Sequence, residues 1–200
     1  RAGHLQAAGR RRQAIEPLLQ AAKRALEESW LRRGRRSLEE AERLIEELAL
    51  PDDDPFRVRA IWMRGYVYRR AGEPEAAIRY AERAIEVARR ENLTAELAEA
   101  LTVRGGIDRD AGRYREAISN YTEAIRRFQA VDDERGSAVT TYLVGAALSR
   151  QCKLGRALTV LERSLARFEA LSDRHWQATA RTAISSIHIA NGDYKEAERT

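Results

Sequence analysis

The stretch FRVRAIWMRGYVYRRAGEPEAAIRYAERAIEVA, residues 56–88, decides the fold, because its pattern returns three times at a spacing of forty residues. Gly65 is echoed by Gly105, Gly145 and Ser185; Gly72 by Gly112, Cys152 and Gly192; Ala77 by Ala117, Ala157 and Ala197. Large apolar residues keep step, with Ile78, Ile118 and Leu158 in one row and Ile85, Ile125 and Leu165 in another. Small residues recur where two helices cross closely, and a fixed period in this range marks stacked repeats that cover one another's apolar faces. The expected fold is all-α, an α-solenoid of antiparallel helix pairs.

Working outward, each unit has one grammar. A first helix (55–71, 94–111, 137–151) meets a turn at Gly72, Gly112 or Cys152, and a second helix then runs to about Arg90, Val131 or Leu171. So short a link makes the two helices antiparallel. The connectors RRENLT, DDERGS and SDRHWQ are polar turns, so Asn92-Leu-Thr94 reads as a turn or helix cap before it reads as a glycosylation acceptor. Asp54 is expected to cap the helix that starts at Pro55. Upstream the match loosens. Pro17 and Gly34 stand seventeen residues apart, like Pro55 and Gly72, which predicts a helix from Pro17 to Arg33 ended near Gly34. Ser37 with Glu40 has capping-box spacing and is expected to open a second helix bearing Leu38, Ala41, Leu44, Ile45 and Leu48. The expected divisions are a remnant of a preceding element (1–16), a divergent repeat (17–54), repeats at 55–93, 94–134 and 135–174, and a truncated repeat (175–200) in a chain that continues past Thr200.

Composition sets limits on function. Of 200 residues, 44% are hydrophobic and 34% charged, and charge interrupts every apolar run far short of the roughly 20 residues a spanning helix needs. No membrane role is expected. The lone Cys152 has no disulfide partner within the chain and occupies a slot filled elsewhere by glycine, so its expected job is to be small, which fits a reducing cytoplasm. The net charge of +5 is carried almost wholly by arginine, with Lys23, Lys153 and Lys195 as the lysines. Residues 1–36 hold ten basic and three acidic side chains, and residues 37–54 hold one basic and eight acidic. The simplest reading is that the two runs neutralise each other.

At Gly65, Tyr68, Gly72, Ala77, Ala81 and Ala84, and in the segments GRYREAISNYTEAI and NGDYKEAE, the chain resembles a tetratricopeptide repeat array over residues 17–200. Its forty-residue period resembles the longer units of bacterial regulators and signal-transducing ATPases, such as the MalT-like sensor domains. That resemblance implies a right-handed superhelix, a non-enzymatic scaffold or sensor domain of a larger cytoplasmic regulator of signal transduction and transcription, no cofactor, and a protein, peptide or small-molecule inducer as partner. It also implies a concave wall made by first-helix side chains, here Trp62, Tyr66 and Arg69; Thr102, Gly106 and Arg109; Tyr142, Ala146 and Ser149; Thr182 and Ser186. The chain departs from the usual pattern where a tryptophan is common (Ile61, Leu101, Thr141, Arg181) and where a leucine follows (Arg64, Arg104).

Trp62, Tyr66 and Arg69 stand at spacings of four and three, hence on one helical face, and aromatic residues beside arginine dominate interfaces. The competing reading packs Trp62 and Tyr66 against the preceding unit. No phosphate-binding glycine loop, nucleophile elbow or metal-ligand spacing is present: His4, His175 and His188 are far apart, His188 fills a tyrosine-like packing slot, and Arg104 with Asp108 reads as a local ion pair. Catalysis and metal binding are not expected. Two alternatives to a binding scaffold stand: nucleic-acid contact through the arginine runs at 10–12 and 32–36, which lack aromatics apart from Trp30, and a structural spacer or self-associating arm.

Overall fold

The computed structural model describes residues 2–28 and 30–199, with side chains from Gly9 onward. His4 therefore lies outside the described side chains. Among the described residues every regular element is an α-helix, and neighbouring helices pack in pairs across short links, first with second, third with fourth, seventh with eighth and ninth with tenth. The expected all-α array of antiparallel helix pairs is what the chain forms.

The chain divides into two compact units, residues 1–103 and 104–200. The first contains α1 (Ala2–Glu27), α2 (Leu31–Glu47), α3 (Pro55–Ala71), α4 (Pro74–Arg90) and the Thr94–Val103 part of α5 (Thr94–Asp110). Its core is built by Ile15, Leu19, Leu38, Ile45, Val58 and Met63, all essentially without exposure, and by the small Ala77, Ala81 and Ala84 of α4. Opposite those alanines, a Cβ on Gly65 would lie 3.3 Å from the Ala81 nitrogen and 3.4 Å from the Ala77 oxygen. The small-residue row thus marks a backbone-to-backbone crossing, as its periodicity suggests.

The N-terminal pair differs from the sequence expectation in register. Pro17 lies inside α1, and Gly34 and Ser37 lie inside α2, so no helix starts at Pro17, none ends at Gly34, and Ser37 caps nothing. The reason is steric. Gly34 is buried against α1, where a Cβ would meet Leu26 Cγ at 2.7 Å. It is a close-packing glycine like Gly65 rather than a turn glycine like Gly72. Pro17 loses one ladder hydrogen bond, at a cost of about 3 kcal/mol in a free helix, and the buried stripe Ile15, Leu19, Ala22 and Leu26 around it offsets that cost.

The second unit comprises Arg104–Asp110 of α5, then α6 (Tyr114–Gln129), α7 (Glu134–Arg150), α8 (Leu154–Ala170), α9 (Arg174–Asn191) and α10 (Tyr194–Arg199). Tyr121, Leu161 and Phe168 fill its core. Gly105 and Gly145 make room for two of these: a Cβ would sit 2.6 Å from the Tyr121 ring and 2.7 Å from Leu161. Ser185 in the same row donates to the Ala197 carbonyl at 2.7 Å and ties α9 to α10.

Turn chemistry repeats with the same period. Gly72 and Gly112 (both φ +77°), Cys152 (+57°) and Gly192 (+83°) adopt the left-handed conformation between paired helices. At the glycines nothing stands within 4 Å of a built Cβ, and Cys152 is exposed. The slot therefore selects for backbone conformation rather than size, which corrects the reading of Cys152. Asn92, Asp132 and Ser172 (each +55°) make the same turn between repeats, which accounts for Asn92 without glycosylation. Aspartates cap three of the helix starts: Asp133 accepts from Gly136 N and, forty residues on, Asp173 from Trp176 N, while Asp54, one residue off that register, accepts from Phe56 N.

Candidate binding groove

The expected wall residues fall into two groups. In the first unit Trp62 is only 5% exposed, and its indole nitrogen has no hydrogen-bond partner among the described residues. Tyr66 donates to the Leu26 carbonyl of α1 at 3.2 Å, and the Arg69 guanidinium stacks over the Tyr66 ring at 4.9 Å. Trp62, expected on an open face, is instead core, and Tyr66 packs against the preceding helix pair. A large flat side chain at this position fills space between helices, where its burial is worth about 2 kcal/mol or more. Thr102, the remaining member in this unit, turns its hydroxyl onto the Ala98 carbonyl at 2.9 Å.

Arginines bind this unit together. Arg12 reaches Asp54 (2.7 Å) and Arg11 reaches Glu47 (3.6 Å), while Arg59 bridges Glu16 (2.8 Å) and Glu96 (3.6 Å). Arg57 pairs with Glu46 at 2.6 Å, Lys23 pairs with Glu99, and Arg64 makes a two-pronged contact with Glu42. Part of the N-terminal basic run thus meets the acidic run 37–54, as their charges suggest. Arg64, where a repeat leucine is common, keeps its stem in the helix crossing while its head finds a carboxylate. Burial disfavours its charge, and the Glu42 hydrogen bond together with the surrounding negative charge of Glu42 and Glu39 more than restores it.

In the second unit the wall positions 109, 146, 149 and 186 open onto a groove of about 550 Å³. Arg109, Ser149 and Ser186, contributed by the first helices α5, α7 and α9, line it together with Asp110, Tyr114 and Arg150. Ala146, Leu161 and Ala183 give it a short apolar floor. The small side chains at 146, 149, 183 and 186 are what leave the space. Asp110 Oδ1 holds the Arg109 guanidinium through Nε (3.2 Å) and Nη2 (2.9 Å). Burial works against the Arg109 charge, but the Tyr121 phenol and Asp110 outweigh it, so the groove presents a fixed cation. Burial also pushes the Tyr142 phenol above its ordinary value, with Arg109 pulling the other way.

Tyr142 and Thr182 do not line this groove. Tyr142 packs edge-on to Trp176 at 5.4 Å, and Trp176 stacks on Phe168 at 5.6 Å. Thr182 bonds the Ala178 carbonyl at 2.9 Å, and Ser186 in turn bonds the Thr182 carbonyl at 2.8 Å. Beneath the groove lies a cluster that sequence spacing showed only in part. Asp108 is 1% exposed and accepts from Arg104 (3.2 Å), Arg113 (2.7 Å) and Asn120 (2.9 Å). The three groups satisfy the buried carboxylate and fix the α5–α6 turn that carries Arg109 and Asp110. The pair Arg104 and Asp108 was legible at i,i+4; Arg113 and Asn120 arrive only by folding.

Among the described residues no three metal-ligating side chains converge. His188 is mostly buried, with its Nδ1 4.0 Å from Asp193. No helix among them is long and apolar enough to cross a membrane.

A tetratricopeptide repeat family model matches residues 56–130, 96–170 and 136–200. The chain belongs to the tetratricopeptide repeat family. No curated protein sequence is similar to it. Solved structures share the α-solenoid fold. A Rap protein complexed with Competence and Sporulation Factor superposes with a TM-score of 0.79 at 14% identity, over 93% of this chain and 51% of that one. Aspartyl phosphate phosphatase F from Bacillus subtilis gives 0.72 at 17% identity, over 98% and 51%. A signal-transduction ATPase with numerous domains from Pyrococcus horikoshii, with a tetratricopeptide repeat sensor, gives 0.64 at 16% identity, over 92% and 29%. This tetratricopeptide array spans about half the length of the first two. Arrays of this family are protein-interaction scaffolds, and that is the class to which the chain belongs.

Proposed function

We propose that the array is the non-catalytic sensing part of a larger regulatory protein and that it captures an extended segment of a partner protein in the α5, α7, α9 groove. One observation carries this reading: three successive first helices each place a small or cationic side chain, Ser186, Ser149 and Arg109, on a single groove of about 550 Å³ with an apolar floor. A groove of that size takes a few side chains of a peptide, with Arg109 and Arg150 available to its carboxylates or carbonyls. The solved Rap complex and the tetratricopeptide sensor of the Pyrococcus protein support a sensing role by analogy of fold.

The test is selection of displayed peptides on the chain, followed by counter-selection on a variant whose groove is filled, Ser149→Trp with Ser186→Trp. Peptides that bind the parent and lose at least about tenfold affinity, about 1.4 kcal/mol, on the filled variant support the reading. Peptides held equally by both would overturn it. Thermal unfolding with metabolites tests the inducer alternative, since a ligand at about 100 times its Kd adds about 2.7 kcal/mol to stability.

A further inference from the structure

A second groove, of about 540 Å³, lies on other surfaces of the same unit. Its floor is Ile118 of α6, Val144 and Leu148 of α7, and Val160 of α8. At 100° per residue, Val144 and Leu148 occupy one side of α7, while Ala146, Ser149 and Arg150 of the first groove occupy the opposite side. The two grooves therefore use different faces of α7.

The rim of the second groove has a direction. One end carries Arg115, Lys153 and Arg156, all exposed and without an ion-pair partner among the described residues; the other carries Thr122 and Thr159. Arg115 is the second residue of α6, Lys153 is the N-cap of α8 and Arg156 is its third residue. Three cations thus stand where two helix N-termini already contribute positive potential, the arrangement that helix electrostatics disfavours. Glu116 is the acidic residue of the first turn of α6, and the first turn of α8 has none. No carboxylate lines the groove among the described residues. The side-chain oxygen of Gln151, at the same end, is buried and accepts no hydrogen bond within the described residues. A polar atom in that state calls for a donor.

From this we infer a second docking site, for an acidic segment of a partner protein that carries apolar side chains: its leucine-like residues lie on Ile118, Val144, Leu148 and Val160, its carboxylates lie against Arg115, Lys153 and Arg156, and a backbone N–H reaches Gln151. Charge complementarity selects this occupant. An unpaired +3 rim over an apolar floor repels basic segments and leaves a neutral one without compensation.

Fluorescence anisotropy tests the site on the full chain, with a short fluorescein-labelled peptide of leucine and glutamate in helical spacing as the probe. Its control is the same peptide with lysine in place of glutamate. The expected result is saturable binding of the glutamate peptide alone, weakening as salt rises through the range where the Debye length falls from about 10 Å to about 3 Å. Arg115→Glu, Lys153→Glu and Arg156→Glu combined should weaken it by at least about tenfold. Acidic residues suit helix N-termini, so this variant keeps its helix content by circular dichroism. Arg109→Ala, in the first groove, should leave the binding unchanged. The site is overturned if the glutamate peptide does not bind, if the lysine peptide binds as well, or if Arg109→Ala and not the triple reversal removes the binding.

Discussion

The first-helix wall of the first unit and that of the second occupy equivalent positions in the repeat, yet one is filled and the other open. At Trp62 and Tyr66 the chain places aromatic rings, and both turn into the protein, one into the core and one onto the Leu26 carbonyl. At Ala146 and Ser186, the counterparts of Tyr66, and at Ser149, the counterpart of Arg69, it places small residues, and a groove remains, while Tyr142, the counterpart of Trp62, packs on Trp176. The interface-like residue types therefore hold the array together, while the unremarkable ones make the candidate site. A helical face predicted from spacing says which direction a side chain leaves the helix. Whether it reaches solvent depends on its volume and on what stands opposite.

The sharpest break between the two walls is in stability. Trp62→Ala should cost about 3–5 kcal/mol in chemical denaturation, as for other buried aromatic truncations, while Ser149→Ala and Ser186→Ala should stay within about 0.5 kcal/mol. A Trp62→Ala variant as stable as the parent would mean that the indole is not core. Next in size is the cluster beneath the open groove. Asp108→Ala removes the acceptor shared by Arg104, Arg113 and Asn120 and should cost about 3 kcal/mol, less than a wholly buried pair would lose at the upper end because Arg113 turns to solvent. Denaturant midpoints of the single and Arg113→Ala double variants measure the coupling.

A smaller effect, of opposite sign, comes from the turn. Cys152 holds φ +57°, so Cys152→Gly should raise stability by about 1 kcal/mol, whereas Cys152→Ala should not. Equal effects of the two would restore the reading of the slot as one for size. The least of the four concerns Tyr142. Its folded-state pKa lies above the unfolded value because burial favours the neutral phenol, so its contribution is intact below about pH 10 and is lost as pH rises through the folded pKa. Tyr142→Phe should flatten the alkaline fall in stability and remove one late step from the tyrosinate absorbance titration.

Much of this architecture could be read in the chain because the reporting features recur every forty residues. The left-handed turns and the Gly65, Gly105, Gly145 crossings each repeat with the period. The N-terminal register was not legible, since a glycine serves equally as a left-handed turn or as a close crossing. Gly34 could be told from Gly72 only by the Leu26 side chain above it. Seventeen residues between proline and glycine were a coincidence of spacing, as Pro17 stands inside a helix. The candidate grooves were legible in one part only. Arg109, Ser149 and Ser186 follow from the repeat positions, whereas the second groove depends on α6 and α8 together and has no signature along either segment.

The measurement closest to the central claim is hydrogen exchange on the full chain with and without a peptide selected on it. The account predicts slower exchange within residues 104–114, 142–150 and 182–187, where the open wall lies, and no change at 62–69. Protection at 62–69 with none around Arg109, Ser149 and Ser186 would contradict it and return the binding wall to the aromatic face of the first unit.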